Sequence, residues 1–405
     1  MSAAPGRPKQ ARTAARQGEG TPVPLQPPNP RYYTAEHESF RTTVRRFFEK
    51  EVAPFATEWD EAESFPRELY RKASEAGLLQ LGFPEAYGGA PCDAFYRMIL
   101  FEERAWGGSG GVASGLFSHT IGAPPIAAVG SEALKARVLP AILAGDKISA
   151  LAISEPAGGS DVACLTTSAR REGSHYVVNG TKLYITSGMR ADYFTVAVRT
   201  GGPGAQGVSL LLIERDTPGF SRTPLKKMGW WASDTAQLFF EDCRVPVDNL
   251  IGEEGRGFAA IMKNFNHERL ALAAAACGYA QVCFHDALAW ARERNTFGKR
   301  LVDHQVVRHQ LVDMASRIEG TRALLDDLAC RLDDGAAPVA QIAMAKNQAT
   351  QTFQFCADRA VQLLGGMGYM RGSRVERLYR EVKVMMIGGG AEEVMKDLAA
   401  RQLGL

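Results

Sequence analysis

The chain has 405 residues, 45% of them hydrophobic and 23% charged, with a net charge of +2. That is ordinary globular composition, and the length calls for two or three packed units rather than one core. No apolar run reaches the roughly 18 residues of a membrane span. The seven cysteines form no C-x-x-C pair, and the histidines are scattered. Reduced thiols, no bound metal and a cytoplasmic, bacterial-type location are therefore expected.

Residues 1–32 carry five basic residues (Arg7, Lys9, Arg12, Arg16, Arg31) against Glu19, a balance of +4 that leaves the body at −2. A body of that charge is no nucleic-acid binder. The segment is rich in Ala, Gly, Pro and Gln, and no large apolar residue separates Met1 from Val23. It reads as a disordered tail. An Arg-rich, acid-poor transit peptide is the alternative, opposed by Pro5, Pro8 and the missing apolar face.

Residues 33–147 read as a helical unit. Thr34 is placed to cap a helix with Glu36 in its first turn, and Phe40, Val44, Phe47, Phe48 and Val52 follow at helical spacing. Helical patterning continues over Arg67–Ala76, Asp93–Arg104 and Ser131–Ala144, interrupted by Gly/Pro-rich loops at Gly82–Pro91 and Gly107–Gly111. Residues 148–253 change texture. Tyr193–Val198, Val208–Ile213 and Ala236–Phe240 are β-rich runs, and Asn179-Gly180 between His175–Val178 and Lys182–Ile185 predicts a type I′ hairpin. A small antiparallel β-domain is expected there. Residues 254–405 return to helical period over Phe265–Arg292, Leu301–Leu332, Val339–Leu364 and Ala391–Arg401, the pattern of a helical bundle.

Four short segments carry the chemistry: Leu151–Asp161 (LAISEPAGGSD), Leu183–Gly188 (LYITSG), Arg294–Arg300 (RNTFGKR) and Gln362–Tyr369 (QLLGGMGY). No G-x-G-x-x-G follows a strand and opens a helix, so a nicotinamide site is unsupported. The Pro156–Ser160 loop has the glycines needed for backbone N–H groups to approach a phosphate or a flavin edge. Taken singly, the loop is explained by a plain turn, Tyr184 by an amphipathic strand, and Gly365-Gly366 by a helix C-cap.

Together, in this order and spacing, the four segments resemble the acyl-CoA dehydrogenase family over about residues 33–405. The resemblance implies a mainly α fold with a helical N-terminal domain, a central antiparallel β-domain and a C-terminal four-helix bundle. It implies FAD as cofactor, an acyl-CoA thioester as substrate and an electron-transfer flavoprotein as electron acceptor. By the same resemblance Leu151, Ser154, Ser160, Tyr184 and Thr186 contact FAD, with Ser at 154 where the family usually has Thr, and Tyr at 184 for the usual Trp or Phe. Arg294, Thr296, Phe297, His304, Gln305, Gln362, Gly365 and Gly366 match contacts made to a neighbouring subunit's FAD, so a homotetramer is expected, with a homodimer as fallback. Ala391 and Glu393 take further cofactor positions, and Ser160, Asn266, Arg269 and Gly389 take substrate positions.

The family's reaction removes an α-proton and a β-hydride from the thioester. Most members carry the base as Glu in a Tyr-Glu-Gly-Thr motif near the C-terminus. Aligning Tyr379–Lys383 puts Gly389 at that position, in the segment Met386–Glu393 (MIGGGAEE). A minority, the long-chain and isovaleryl-type enzymes, carry it more than a hundred residues earlier in a Glu-Arg-Leu motif. Here that place reads Asn266-His267-Glu268-Arg269-Leu270. The empty position and the filled one both point to Glu268. Glu392 and Glu393 are the nearby competitors, with a simpler role at a helix N-terminus. Moving the acid, Glu268→Gly with Gly389→Glu, is expected to recover some activity by restoring the commoner placement of the base. A flavin oxidase or monooxygenase on the same fold, or a non-catalytic acyl-CoA-binding protein, are the competing functions.

Overall fold

The computed structural model describes Leu25 and residues 29–405. The tail reading falls mostly outside the described residues. Where the tail is described it touches the body: Tyr32 stacks on Phe95 with ring centroids 6.0 Å apart, and Leu25 packs against the bundle core.

The N-terminal unit is helical. It comprises α1 (Ala35–Glu51), α2 (Ala56–Glu61), α3 (Glu68–Glu75), α4 (Ala94–Glu103), α5 (Gly110–Leu116), α6 (His119–Gly122), α7 (Pro124–Val129) and α8 (Glu132–Leu143). Side-chain caps start α1, α4, α5 and α8 at Thr34, Asp93, Ser109 and Ser131, supplying partners to orphan backbone N–H groups. Helix α5 begins inside the stretch expected to be a loop, because Ser109 caps it and its small residues pack against Trp230 and Phe65.

The middle unit is a seven-stranded sheet of β1 (Ser149–Ala152), β2 (Ser168–Glu172), β3 (His175–Thr186), β4 (Tyr193–Arg199), β5 (Val208–Glu214), β6 (Phe220–Pro224) and β7 (Thr235–Pro246). The order is β1-β4-β2-β3-β7-β6, with β5 also paired to β4. The sheet is mixed rather than purely antiparallel: β1 lies parallel to β4, with Ala150 opposite Phe194, and β2 meets β4 in parallel at Ser168 and Arg199. These pairings join segments far apart in the chain, which local strand patterns do not encode.

The hairpin expected at Asn179-Gly180 is absent. Strand β3 runs straight through it and pairs with β7 on both sides. Asn179 and Gly180 form a bulge: the register shifts between Val178 and Gly180, Gly180 has φ +145°, and a Cβ there would press on Thr167. Asn179 caps the bulge by accepting from the Asp242 amide at 2.9 Å and donating to its carboxylate at 3.0 Å. The long partner strand supplies ladder bonds that outweigh the local turn preference. The chain reverses instead at Gly173-Ser174, between paired Glu172 and His175.

The C-terminal unit contains α9 (Gly257–Glu293), the short hairpin β8 (Asn295–Thr296) and β9 (Lys299–Arg300), α10 (Gln305–Asp333), α11 (Val339–Leu364), α12 (Gly366–Tyr369), α13 (Arg374–Ile387) and α14 (Glu392–Leu403). Helix α9 is alanine-rich where it meets its neighbours, with Ala273–Ala276 buried, so helices approach closely. Gly278 lies against the Glu102 carbonyl, where a Cβ would clash. Buried charge fastens the N-terminal unit to the bundle. Glu102 accepts from Arg41 at 2.8 Å and from Arg322 at 3.3 Å, and Arg41 also reaches Glu103 at 2.8 Å. Burial pushes the Glu102 acid up, but Arg322 and Arg41 outweigh it and hold the acid down at about 2. Together these contacts fix α4 and α9, and so aim the Glu268 region of α9 at the loop before α14.

Candidate active site

Glu268 stands on α9 four residues before Leu272, on the stretch that faces the triglycine loop 388–390 between α13 and α14. The residue as a whole is half-buried, yet its carboxylate Oε2 is buried with no hydrogen-bond partner among the described residues. Burial pushes its acid up to about 7, and the Arg269 charge opposes that only in part. A buried, unpartnered carboxyl of this kind is costly for folding and poised for proton transfer near neutral pH.

The loop beside it is held from several sides. The Gly388 amide donates to Val384 O at 2.7 Å, ending α13. Arg269 Nε donates to Gly389 O at 3.3 Å, and its guanidinium lies 5.2 Å over the Phe265 ring. Gly389 has φ +68° and Gly390 φ +111°, which favour glycine. A Cβ on Gly389 would sit 3.1 Å from Leu272 Cδ2. A carboxylate moved to 389 would meet both the strained backbone and the Leu272 side chain. The rescue expected of Glu268→Gly with Gly389→Glu therefore works against the left-handed backbone and requires Leu272 to shift by a few tenths of an ångström.

The competitors have other partners. Glu392 accepts from Lys396 Nζ and from Gln351 Nε2, both at 2.7 Å, and the Lys396 bond holds its acid below the usual carboxylate range. Glu393 is exposed in the first turn of α14, and Ala391 is the residue before that helix. Asn266 is half-buried but stands about 200° around α9 from Glu268 by helical geometry. The two side chains do not share a face.

The flavin-motif residues of the β-domain come together through backbone contacts. The Leu183 amide donates to Ser154 O at 2.8 Å, joining the loop after β1 to a second bulge in β3 between Lys182 and Ile185. Tyr184 sits in that bulge at φ +62°, is 70% exposed, and is followed by half-buried Thr186. A bulky residue in the left-handed region is strained, and here the strain turns an aromatic out of the sheet. Glu155 anchors the Pro156–Ser160 loop. It pairs with fully buried Lys182 at 2.7 Å and accepts from the Thr166 amide at 2.6 Å and the Thr167 amide at 2.9 Å. Burial pushes the Glu155 acid up, but Lys182 outweighs it and holds it at about 2. Lys182 carries no signal in the sequence beyond that of an ordinary strand residue, and Glu155, although inside the Leu151–Asp161 segment, is not one of its expected cofactor contacts. Ser160 is exposed, while Ser154 and Leu151 are half-buried. An exposed aromatic wall, three hydroxyls and a glycine loop open to approach fit a flavin ring and its phosphates. No atom lies within 4 Å of a Cβ built on Gly159.

The second set forms its own surface. Phe297 and Gly298 turn the β8–β9 hairpin, both at positive φ, and Phe297 is 98% exposed. Thr296 Oγ1 lies 3.2 Å from His304 Nε2, and Phe297 meets the His304 ring edge-on. Arg294, Gln305, Gln362, Gly365 and Gly366 are exposed, as is Tyr369 at 81%. No hydrogen bond among the described residues joins this set to Ser154–Thr186 within the chain.

The chain is similar to known proteins over all three of its units. Residues 34–146, 150–243 and 255–404 match the N-terminal, middle and C-terminal domain models of acyl-CoA dehydrogenases. The long-chain specific acyl-CoA dehydrogenase of Mus musculus mitochondria is 37% identical, over 92% of this chain and 87% of its own length. A crystal structure of an acyl-CoA dehydrogenase from Geobacillus kaustophilus is 39% identical with a TM-score of 0.89, covering 93% of this chain and all of its own. A probable acyl-CoA dehydrogenase of Mycobacterium abscessus is 46% identical with a TM-score of 0.90, covering 92% of this chain and 100% of its own.

Proposed function

The chain belongs to the acyl-CoA dehydrogenase family of FAD-dependent oxidoreductases, and from that premise we propose that Glu268 is the base that removes the α-proton of an acyl-CoA thioester. The observation that carries this reading is the buried, unpartnered Glu268 oxygen, with its acid at about 7, beside a loop whose Gly389 has no side chain. Bound FAD supplies the acceptor for the β-hydride. Glu268 takes the α-proton as carboxylate, and the dry surroundings that raise its acid also strengthen its basicity. The Gly389 N–H donates to the thioester carbonyl, where negative charge develops as the α-proton leaves. Arg269 orients the loop through Gly389 O and limits how far the Glu268 acid rises. The product is the trans-2-enoyl-CoA, with electrons passed on to an electron-transfer flavoprotein.

Ser154, Ser160, Tyr184 and Thr186 hold the flavin end of the cofactor. Arg294, Phe297, Gln362 and Gly365-Gly366, exposed on a separate surface, hold the dinucleotide end in a second copy of the chain. The working form is therefore at least a homodimer, and a homotetramer built from such dimers is the assembly the family implies. Arg294→Ala should weaken FAD retention by about 10- to 100-fold, the value of a charge-assisted contact of roughly 1.5–3 kcal/mol, measured by flavin content after gel filtration. A stable monomer that keeps its FAD would defeat the shared site.

The direct test of the base is anaerobic flavin bleaching over a panel of straight and branched saturated acyl-CoA thioesters. Wild type bleaches with at least one of them, and Glu268→Gln, with FAD retained, does not. Bleaching of Glu268→Gln at the wild-type rate would remove Glu268 from the role.

A further inference from the structure

A triglycine loop is a poor platform for a hydrogen-bond donor unless something rigid holds it, because glycine has the widest backbone freedom. Helix α11 supplies that hold from a side chain no catalytic motif includes. Lys346 is 0% exposed, buried from end to end. Its Nζ donates to Met386 O at 3.1 Å and to Gly390 O at 2.7 Å. The first carbonyl belongs to the last turn of α13, before the loop; the second lies at the loop's end. One ammonium thus bridges the segment that carries Gly389. No carboxylate bonds it among the described residues. Burial pushes its ammonium down to about 8, the Arg269 charge pushes the same way, and Glu392 and Glu393 oppose. A buried cation with only carbonyl partners is expensive to keep for packing alone, since a methionine would fill the same space.

Neighbouring contacts extend the clamp. Asn347 Nδ2, next along α11, donates to Glu392 O at 2.9 Å and fixes the start of α14. Arg269 Nε takes one of the carbonyls between the two that bound the bridge, Gly389 O. Gly389 and Gly390 are thereby held at their positive φ values by α9 on one side and α11 on the other.

We infer that Lys346 is a positioning residue for the reaction: by bridging Met386 O and Gly390 O it aims the Gly389 N–H at the thioester carbonyl. This rests on the reading of Glu268 and Gly389 proposed above. Its effect falls on the charge that develops at the carbonyl during α-proton removal rather than on binding of the ground state, because misdirected donors lose transition-state stabilisation first.

The test uses the FAD-loaded full-length enzyme and a β-thia analogue of the acyl-CoA that bleaches fastest. With sulfur at the β-position there is no β-hydride to transfer, so α-proton exchange into D2O, read by mass spectrometry, reports proton removal alone. Wild type exchanges the α-protons and Glu268→Gln does not. Lys346→Met, matched in volume, should exchange about 10- to 100-fold more slowly, the range for a displaced donor. Its analogue affinity and FAD content should equal those of wild type. Lys346→Gln, which keeps a donor able to reach one carbonyl, should fall between the two and serves as the test if Lys346→Met does not fold. Wild-type exchange in either variant overturns the inference while leaving the base assignment standing, as does a loss of affinity matching the whole loss of rate. Absence of exchange in wild type would instead overturn the base reading.

Discussion

Two buried carboxyls in this molecule, Glu268 and Glu381, are both pushed up to about 7 by burial, and they are not equivalent. Glu381 on α13 accepts from the Gly110 amide at 2.8 Å and the Gly111 amide at 3.3 Å, at the start of α5, and neighbouring Asp60 raises its acid further. Nearby, Arg377 donates to Gly108 O at 2.7 Å and Arg380 pairs with Asp60 at 2.7 Å. Glu381 is thus a joint between the N-terminal helices and the bundle. Glu268 has a buried oxygen with no hydrogen-bond partner among the described residues and a side-chain-free glycine loop beside it. A displaced pKa alone therefore does not distinguish the two acids; the unsatisfied oxygen and the glycine loop beside it do.

The largest expected difference is in rate. Glu268→Gln should slow anaerobic flavin reduction by about 10²- to 10⁴-fold. Glu381→Gln should leave it within about three-fold, since a residue that only joins helices contributes no proton transfer. Equal losses would dissolve the distinction between the two acids. Relocating the acid is the next largest effect. Glu268→Gly with Gly389→Glu should stay close to inactive, and adding Leu272→Ala should recover part of the bleaching rate. Strain remains, because a non-glycine residue at left-handed φ costs roughly 1–2 kcal/mol. Recovery without the change at Leu272 would mean that the 388–390 loop adapts freely.

The pH dependence sharpens the same contrast. As the proposed base Glu268 would act as carboxylate, so the reduction rate should rise with pH through about 7 and then level off. Glu381→Gln should keep that limb; its disappearance there would transfer the titration to Glu381. The smallest effect is on stability. Both acids bind their proton more tightly in the folded than in the unfolded chain. Their contribution is full below the ordinary value of 4.5 and is lost as pH rises through about 7. Glu268→Gln is neutral throughout, so its melting temperature should gain on wild type between about pH 5 and pH 8. A constant difference across that range would show that Glu268 titrates near its ordinary value when folded.

Much of the architecture was readable in the chain because the responsible interactions are local. The α11 helix runs over Val339–Leu364, as its apolar period implies, and Thr34 caps α1 as its residue type suggests. The order helical unit, β unit, helical bundle follows from changes of period alone. The Asn179-Gly180 reading failed for the opposite reason: a turn signal of two residues yielded to a twelve-residue ladder with β7, a partner more than fifty residues away. The parallel pairing of β1 with β4 has the same long-range origin.

The candidate site divides along the same line. Glu268, Gly389, Tyr184 and Arg294 stand in short motifs, where residue type and spacing speak directly. Lys346 and Leu272 do not, since each reads as one more helical position. Only the packing of α9 and α11 against the turn before α14 reveals that Leu272 crowds the position of a Cβ at 389, and that Lys346 bridges the carbonyls on either side of that turn. The sequence by itself determined the family and the three-unit order, and it singled out Glu268 as the acid to test. The tertiary structure decided which of the two carboxyls raised to about 7 keeps an unsatisfied oxygen and what holds the loop beside it, because burial and hydrogen-bond satisfaction depend on groups that meet only when distant segments pack.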